Sequence, residues 1–225
     1  MKLRRSLILL VLAGWSLNAA AEVFTYNFTS GFANAGVVPD GNTTGWSDTR
    51  TISGIDPATI TDVNVSLNIT GGYAGDLYVY LTHGSGFSVL LNRVGRSGAS
   101  AFGYSDSGLN LSFDDAAANG DVHNYQAVSG YSTLINSGAA WSPDGRNVNP
   151  LTVLNTSSRT SFLDQFNSLD PNGGWTLFVG DLSGGAQATV AGWGLNIVTT
   201  AVPEPSMVGL FALGALALRL RKGRA

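Results

Sequence analysis

Three features of the 225-residue sequence predict an all-β fold, an antiparallel β-sandwich built from short strands. Apolar residues recur with period two in several segments, most clearly in 71–93, GGYAGDLYVYLTHGSGFSVLLNR. Strict alternation of this kind marks half-buried strands. Glycine is abundant at 29 residues and only 12% of the chain is charged, as expected for short strands joined by many turns. Helical spacing is confined to one stretch, residues 161–169 (SFLDQFNSL), which leaves room for a single short helix.

The elements follow in order. Residues 22–32 alternate Val23, Thr25 and Asn27 against Phe24, Tyr26 and Phe28, an opening strand with one aromatic face. Residues 33–50 contain Pro39-Asp40-Gly41-Asn42 and read as turn-rich, and 52–60 read as a short connector. In 61–70, Val63, Val65, Leu67 and Ile69 share a face. The 71–93 hairpin then places Leu77, Val79 and Leu81 opposite Tyr78 and Tyr80 and returns through Phe87, Val89 and Leu91. Leu109, Leu111 and Phe113 mark a further strand. Residues 116–150 are irregular and long for a connection inside a compact domain, a length often tied to function. The predicted helix over 161–169 carries Phe162, Phe166 and Leu169 on one face, with Ser161 and Asp164 spaced as a capping box. Pro171-Asn172-Gly173-Gly174 ends it. Trp175, Leu177 and Val179, then Trp193, Leu195 and Ile197, close the domain as two strands.

Both ends read as addresses. A basic start (Lys2, Arg4, Arg5), an apolar run over 7–17 and the small residues Ala19 and Ala21 form a cleavable signal peptide over 1–21. The apolar run is short for a retained membrane anchor. At the other end, Pro203-Glu204-Pro205 precedes an apolar run over 207–218 and then Arg219, Arg221, Lys222 and Arg224. A basic end stays cytoplasmic by the positive-inside rule, so this hydrophobic helix inserts only transiently if it is cut. Between Glu22 and Ala201, five arginines and no lysine face 14 carboxylates, a net charge of −9. Nucleic acid is excluded as a partner, because phosphate binding needs a basic footprint. Cysteine is absent, so export brings no disulfides.

Two family resemblances follow from these residues. The Pro-Glu-Pro motif, apolar helix and basic tail resemble the PEP-CTERM sorting signal of exopolysaccharide-producing Gram-negative bacteria. That resemblance implies recognition by an exosortase, processing near the motif, and delivery to the cell envelope or extracellular matrix. Gly75-Asp76-Leu77, the Gly-Ser-Gly turn, Leu90-Leu91-Asn92-Arg93, Gly173-Gly174-Trp175-Thr176-Leu177, Val179-Gly180-Asp181 and Gly192-Trp193-Gly194-Leu195 resemble the P/Homo B domain of proprotein convertases. This resemblance implies a jelly-roll-like sandwich that accompanies a subtilisin-like protease domain, which this chain lacks. His83-Gly84 stands where that family usually has Ser-Pro. The organisation expected is therefore a signal peptide (1–21), a turn-rich lead-in (22–50), a P/Homo B-like sandwich (51–200) and a sorting segment (201–225).

Candidate chemistry is sparse. Asp76, His83, Ser85 and Ser88 are the residue types of a triad, but they sit on one hairpin, whereas triads converge from separate loops. His123 stands beside Asp121 without a Cys or His partner, which argues against zinc. Asp114 and Asp115 are adjacent, so in a strand they point to opposite faces, unlike the paired carboxylates of glycosidases. Calcium is the metal these residue types suit. Asp76, Asp114, Asp115, Asp121 and Asp181 lie at strand ends and Gly-rich turns, where carboxylates and carbonyls gather, although turn-forming is an equal explanation for them. Trp46, Tyr104, Tyr125 and Trp141 lie in loop-like stretches and would stack on a sugar if exposed together. The expected function is a non-catalytic interaction or structural module of the envelope. A carbohydrate-binding module for exopolysaccharide and an accessory domain acting in trans on a subtilisin-like protease are the alternatives.

Overall fold

The computed structural model describes residues 21–56 and 58–201, which hold nine strands in two sheets. Residues 1–20, which hold the expected signal peptide up to its last residue Ala21, and residues 202–225, which hold Pro203-Glu204-Pro205 and the rest of the sorting segment, lie outside the described residues. One sheet has the order β1 (Ala21–Phe28), β9 (Ala188–Ala201), β3 (Ala58–Gly71), β6 (Leu109–Phe113), β7 (Ala140–Trp141). The other runs β2 (Asn42–Ile52), β8 (Gly173–Asp181), β4 (Leu77–His83), β5 (Gly86–Asn92). All pairings are antiparallel except β6 with β7. The protein is a β-sandwich.

The period-two pattern places the core between the sheets. Val63, Val65, Leu67 and Ile69 of β3 are buried, as are Leu77, Val79 and Leu81 of β4, Trp175, Leu177 and Val179 of β8, and Leu195 and Ile197 of β9. Each such side chain contributes about 1.5–3 kcal/mol on burial, which makes these four strands the main source of stability. On β5 the alternation fails: Val89, Leu90 and Leu91 are all fully buried. The cause is cover on the strand's open edge, where the Val89 and Leu90 carbonyls accept from Gly145 and Asp144 and the Val89 amide donates to Ser161. The covering chain gives β5 no free edge to recruit another strand.

Three expectations need correction, the first being that 52–60 is a connector, because Ile52 ends β2 and Ala58–Ile60 already pair with β9 as the start of β3. Residues 33–50 are not turn-rich throughout, because Asn42–Ile52 forms β2, paired with β8 over most of its length. Its outward residues are Thr, Ser, Asp and Arg and only Trp46 and Ile52 are buried, so no apolar alternation announced it. The helix expected over 161–169 is a single 3-10 turn, Leu163–Phe166. Ser161 does not cap it. The Asp115 carboxylate, from a distant loop, accepts instead from the Leu163 and Asp164 amides at 3.0 and 2.8 Å. Ser168, at φ 68°, then turns the chain away. The long connection contains a 3-10 segment (Val122–Ala127), α1 (Tyr131–Leu134) and β7. Among the described residues no helix is long and apolar enough to cross a membrane.

Candidate functional site

The hairpin does not assemble a catalytic set. Asp76 and His83 flank opposite ends of β4, about 20 Å apart at strand rise. His83 is buried, and its ring stacks on Trp175 with centroids 4.0 Å apart and planes 1° from parallel. Its Nδ1 and Nε2 face the carbonyl oxygens of Gly174 and Asp170 at 3.0 and 2.6 Å. Carbonyls only accept and each imidazole tautomer has one N–H, so the ring donates to Gly174 or to Asp170, and either bond ties the 170–174 loop to the hairpin. Ser88 is buried and its hydroxyl donates to the Ser161 carbonyl.

The five aspartates proposed for calcium separate into two groups. Asp114 accepts from the Ala116 amide in a tight turn, and Asp115 anchors the 163–166 turn. Asp121 accepts from the His123 amide and pairs with Arg146 at 2.8 Å. Arg146 also meets buried Asp144 at 3.1 Å, and Asp144 in turn accepts from the Asn92 amide and faces His123 Nδ1 at 2.7 Å. Arg159 binds the Asp144 and Pro143 carbonyls. This ionic knot lies beneath the long connection and fastens it to the end of β5. Every charge in it has an opposite charge or a carbonyl as partner, which is what holds a buried charge inside a protein. Asp114, Asp115 and Asp121 are thus structural residues and do not join Asp76 and Asp181. Among the described residues no group of three or more His, Cys, Asp or Glu side chains converges to hold a metal ion.

The expected sugar platform also changes. Trp46, Tyr125 and Trp141 are buried, so they present no face to a ligand. Trp46 donates from Nε1 to the Ala33 carbonyl, and the Tyr125 hydroxyl donates to Asp106. Large aromatics in irregular sequence are as well suited to pinning a long connection to the core as to reaching solvent. On the outer face of the four-stranded sheet, Tyr78, Tyr80, Phe87 and Phe178 form a row, but their ring faces are occupied by one another: Tyr80 stacks on Phe178 at 4.7 Å. Of the predicted set only half-buried Tyr104 reaches a recess.

That recess has a volume of about 250 Å³ and is lined by Tyr73, Phe102, Gly103, Tyr104 and Ser105 together with Asp76, Ser183 and Gly184. Tyr73 and Phe102 are 40% and 74% exposed, and they were not singled out in the sequence. Both sit among small residues, in Gly71-Gly72-Tyr73-Ala74 and Ala101-Phe102-Gly103, where no apolar alternation gives an aromatic a core to enter. The loop carrying Phe102 is held against β4's approach by backbone bonds from Gly75 to Tyr104 and from Ala74 to Asp106. Gly103 adopts φ 76°, and a Cβ on Gly75 would lie 2.8 Å from the Gly103 carbonyl carbon, so the close approach depends on glycine at both positions.

Behind the recess three carboxylates share one end of the sheet. Asn42 and Leu77 are the cross-strand partners of Asp181, so Asp40 (just before β2), Asp76 (just before β4) and Asp181 (the last residue of β8) gather at one edge. Arg93 is the counter-charge, held in the left-handed region at φ 51° with its side chain buried. It reaches Asp76 at 3.4 Å and the Ser183 hydroxyl at 3.2 Å, and it also donates to the Gly75 carbonyl. Asp181 is fully buried and neither carboxylate oxygen has a hydrogen-bond partner of good geometry. Burial first, then the charges of Asp40 and Asp76, push its carboxyl up to about 6, and the Ser183 amide and Arg93 offset only part of this. Burial also raises Asp76, against the pull of Arg93. Loss of solvent lowers Arg93 itself.

Comparison with known proteins adds a sorting signal. Residues 201–224 match the PEP-CTERM protein-sorting motif. The match implies export and processing by an exosortase at the cell envelope. No curated protein matches the sequence. Among solved structures, the complex of the Aeromonas sobria serine protease with its chaperone is similar at 14% identity and a TM-score of 0.45, covering 81% of this chain and 28% of that one. The A. sobria serine protease alone is similar at 15% identity and a TM-score of 0.44, covering 80% and 27%. This chain therefore spans between a quarter and a third of those chains. A likeness this distant leaves the P/Homo B pattern of the sequence as a resemblance.

Proposed function

We propose that the protein is a non-catalytic, envelope-displayed β-sandwich module that binds exopolysaccharide through the Tyr73–Phe102–Tyr104 recess. The observation that carries this reading is the pair of exposed rings at the mouth. Neither Tyr73 nor Phe102 enters a ring–ring contact among the described residues, in contrast to the row on the outer sheet face. Aromatic faces beside a few polar groups are what a sugar ring requires, with stacking for its C–H surface and hydrogen bonds for its hydroxyls. Asp76, Ser105 and Ser183 supply the polar groups. The recess is smaller than the roughly 300–1,000 Å³ that encloses drug-sized ligands, which suits one residue of a longer chain gripped at the surface. The sorting signal would deliver the module to the place where such polymers accumulate.

The test is co-sedimentation of the exported protein with extracellular polysaccharide from the cells that produce it. Retention of the wild type and loss of retention in Phe102→Ala, at unchanged melting temperature, support the reading. Equal retention of both rejects it. Digestion of casein by the purified protein would overturn the non-catalytic part.

A further inference from the structure

Building on that glycan reading, we infer that the recess selects a sugar bearing a free ammonium group, so that its polymer is a partly deacetylated amino-sugar chain. Charge balance carries the inference. Asp40, Asp76 and Asp181 stand at one end of the sheet against Arg93 alone. The unrepaired charge is that of Asp181, which is fully buried with no partner of good geometry for either oxygen, while Asp40 is exposed to solvent, accepts the Gly185 amide and adds to the negative field. A buried carboxylate without partners is costly and is stabilised by any positive charge brought near it. Of the three carboxylates Asp76 lines the recess, so a cation bound there meets the field of the cluster through Asp76.

The same geometry favours an ammonium over a metal ion. Calcium needs six to eight oxygens converging at 2.3–2.6 Å, and the described residues hold no such convergent group. An ammonium needs only a negative field, one or two acceptors and aromatic faces that attract it. Tyr73, Phe102 and Tyr104 provide the faces, while Asp76 and the Ser105 and Ser183 hydroxyls provide acceptors. A uronic acid would bring a further negative charge to a domain that already carries −9 between Glu22 and Ala201. An N-acetylated sugar would stack equally well but leave the carboxylates uncompensated.

The experiment is calorimetric titration of the exported protein, in low-salt buffer near pH 7 where Asp181 is ionised, with four ligands: glucosamine oligomers, N-acetylglucosamine oligomers, oligouronates and calcium chloride. Glucosamine oligomers are expected to bind about tenfold more tightly than the acetylated form, a gap of about 1.4 kcal/mol that narrows with added salt. Asp76→Asn should erase the gap, and Phe102→Ala should weaken both amino sugars together. If Asp76→Asn fails to fold once Arg93 loses its partner, the Phe102→Ala pattern and the salt dependence of the wild type still decide. Equal affinity for the two amino sugars, or a preference for uronates, overturns the charge inference and leaves the glycan reading standing. Saturable calcium binding that competes with glucosamine oligomers also overturns it and restores a metal site. Failure of every oligosaccharide to bind removes the glycan reading as well.

Discussion

Two parts of this sandwich use the same residue types to opposite ends. Beneath the long connection, Asp121, Asp144, Arg146, Arg159 and His123 form a knot in which each charge meets a counter-charge or a carbonyl. At the edge formed by β2, β8 and β4, three aspartates share a single arginine, and one of them, Asp181, is buried without partners of good geometry. The aromatics divide in the same way. Tyr125 and Trp141 are sealed beside the knot, while Tyr73 and Phe102 stand open above the acidic edge. A satisfied polar cluster specifies structure, and an unsatisfied one beside open aromatic faces is where a ligand has something to contribute.

Substitutions can sharpen or break this contrast. The largest effect is expected at Asp144. Asp144→Ala leaves His123 buried without its carboxylate and Arg146 with Asp121 as its one remaining carboxylate, and should cost about 3–5 kcal/mol in denaturant unfolding. A loss below about 1 kcal/mol would show that the knot is not structural. His83→Phe preserves the stack on Trp175 but removes the ring's hydrogen bonding to the 170–174 loop, for an expected loss of about 1–3 kcal/mol. Asp181→Asn should act in the opposite direction. The Asp181 carboxyl holds its proton more tightly when folded than when unfolded, so this group favours folding at low pH and opposes it as pH rises from 3.8 through about 6. Asparagine removes that opposition. Above pH 6 the variant should therefore melt a few degrees higher than wild type, and the gap should close near pH 4. A variant that melts lower at pH 7 would mean that the carboxylate is compensated after all. Phe102→Ala should be nearly neutral for stability, within about 0.5 kcal/mol, while abolishing glycan retention.

Much of the scaffold was legible in the sequence because two half-buried sheets impose period-two alternation on β3, β4, β8 and β9. β2 was hidden because its outward face is polar and its identity comes from pairing with β8. The helix expected over 161–169 failed because its Ser-Asp spacing mimics a cap, while the actual anchor, Asp115, comes from nearly fifty residues away. The site was less legible for a related reason. Composition shows which residues can bind, but burial decides which are free, and burial of a loop aromatic depends on contacts between distant segments. Trp46, Tyr125 and Trp141 were the conspicuous rings and went inward. Tyr73 and Phe102, flanked by glycine and alanine, stayed outside. Asp76 and Asp181 were visible as residues at strand ends, but Asp40 joins them only because β2 and β4 flank β8.

The contrast between the two regions can be read directly by hydrogen–deuterium exchange of the exported protein with and without glucosamine oligomers. Ligand-dependent protection confined to residues 73–76, 102–105 and 181–185, with 121–146 unchanged, is the predicted footprint. Protection centred on 121–146, or none at the acidic edge while binding is saturated, would contradict the assignment of the open end as the binding surface.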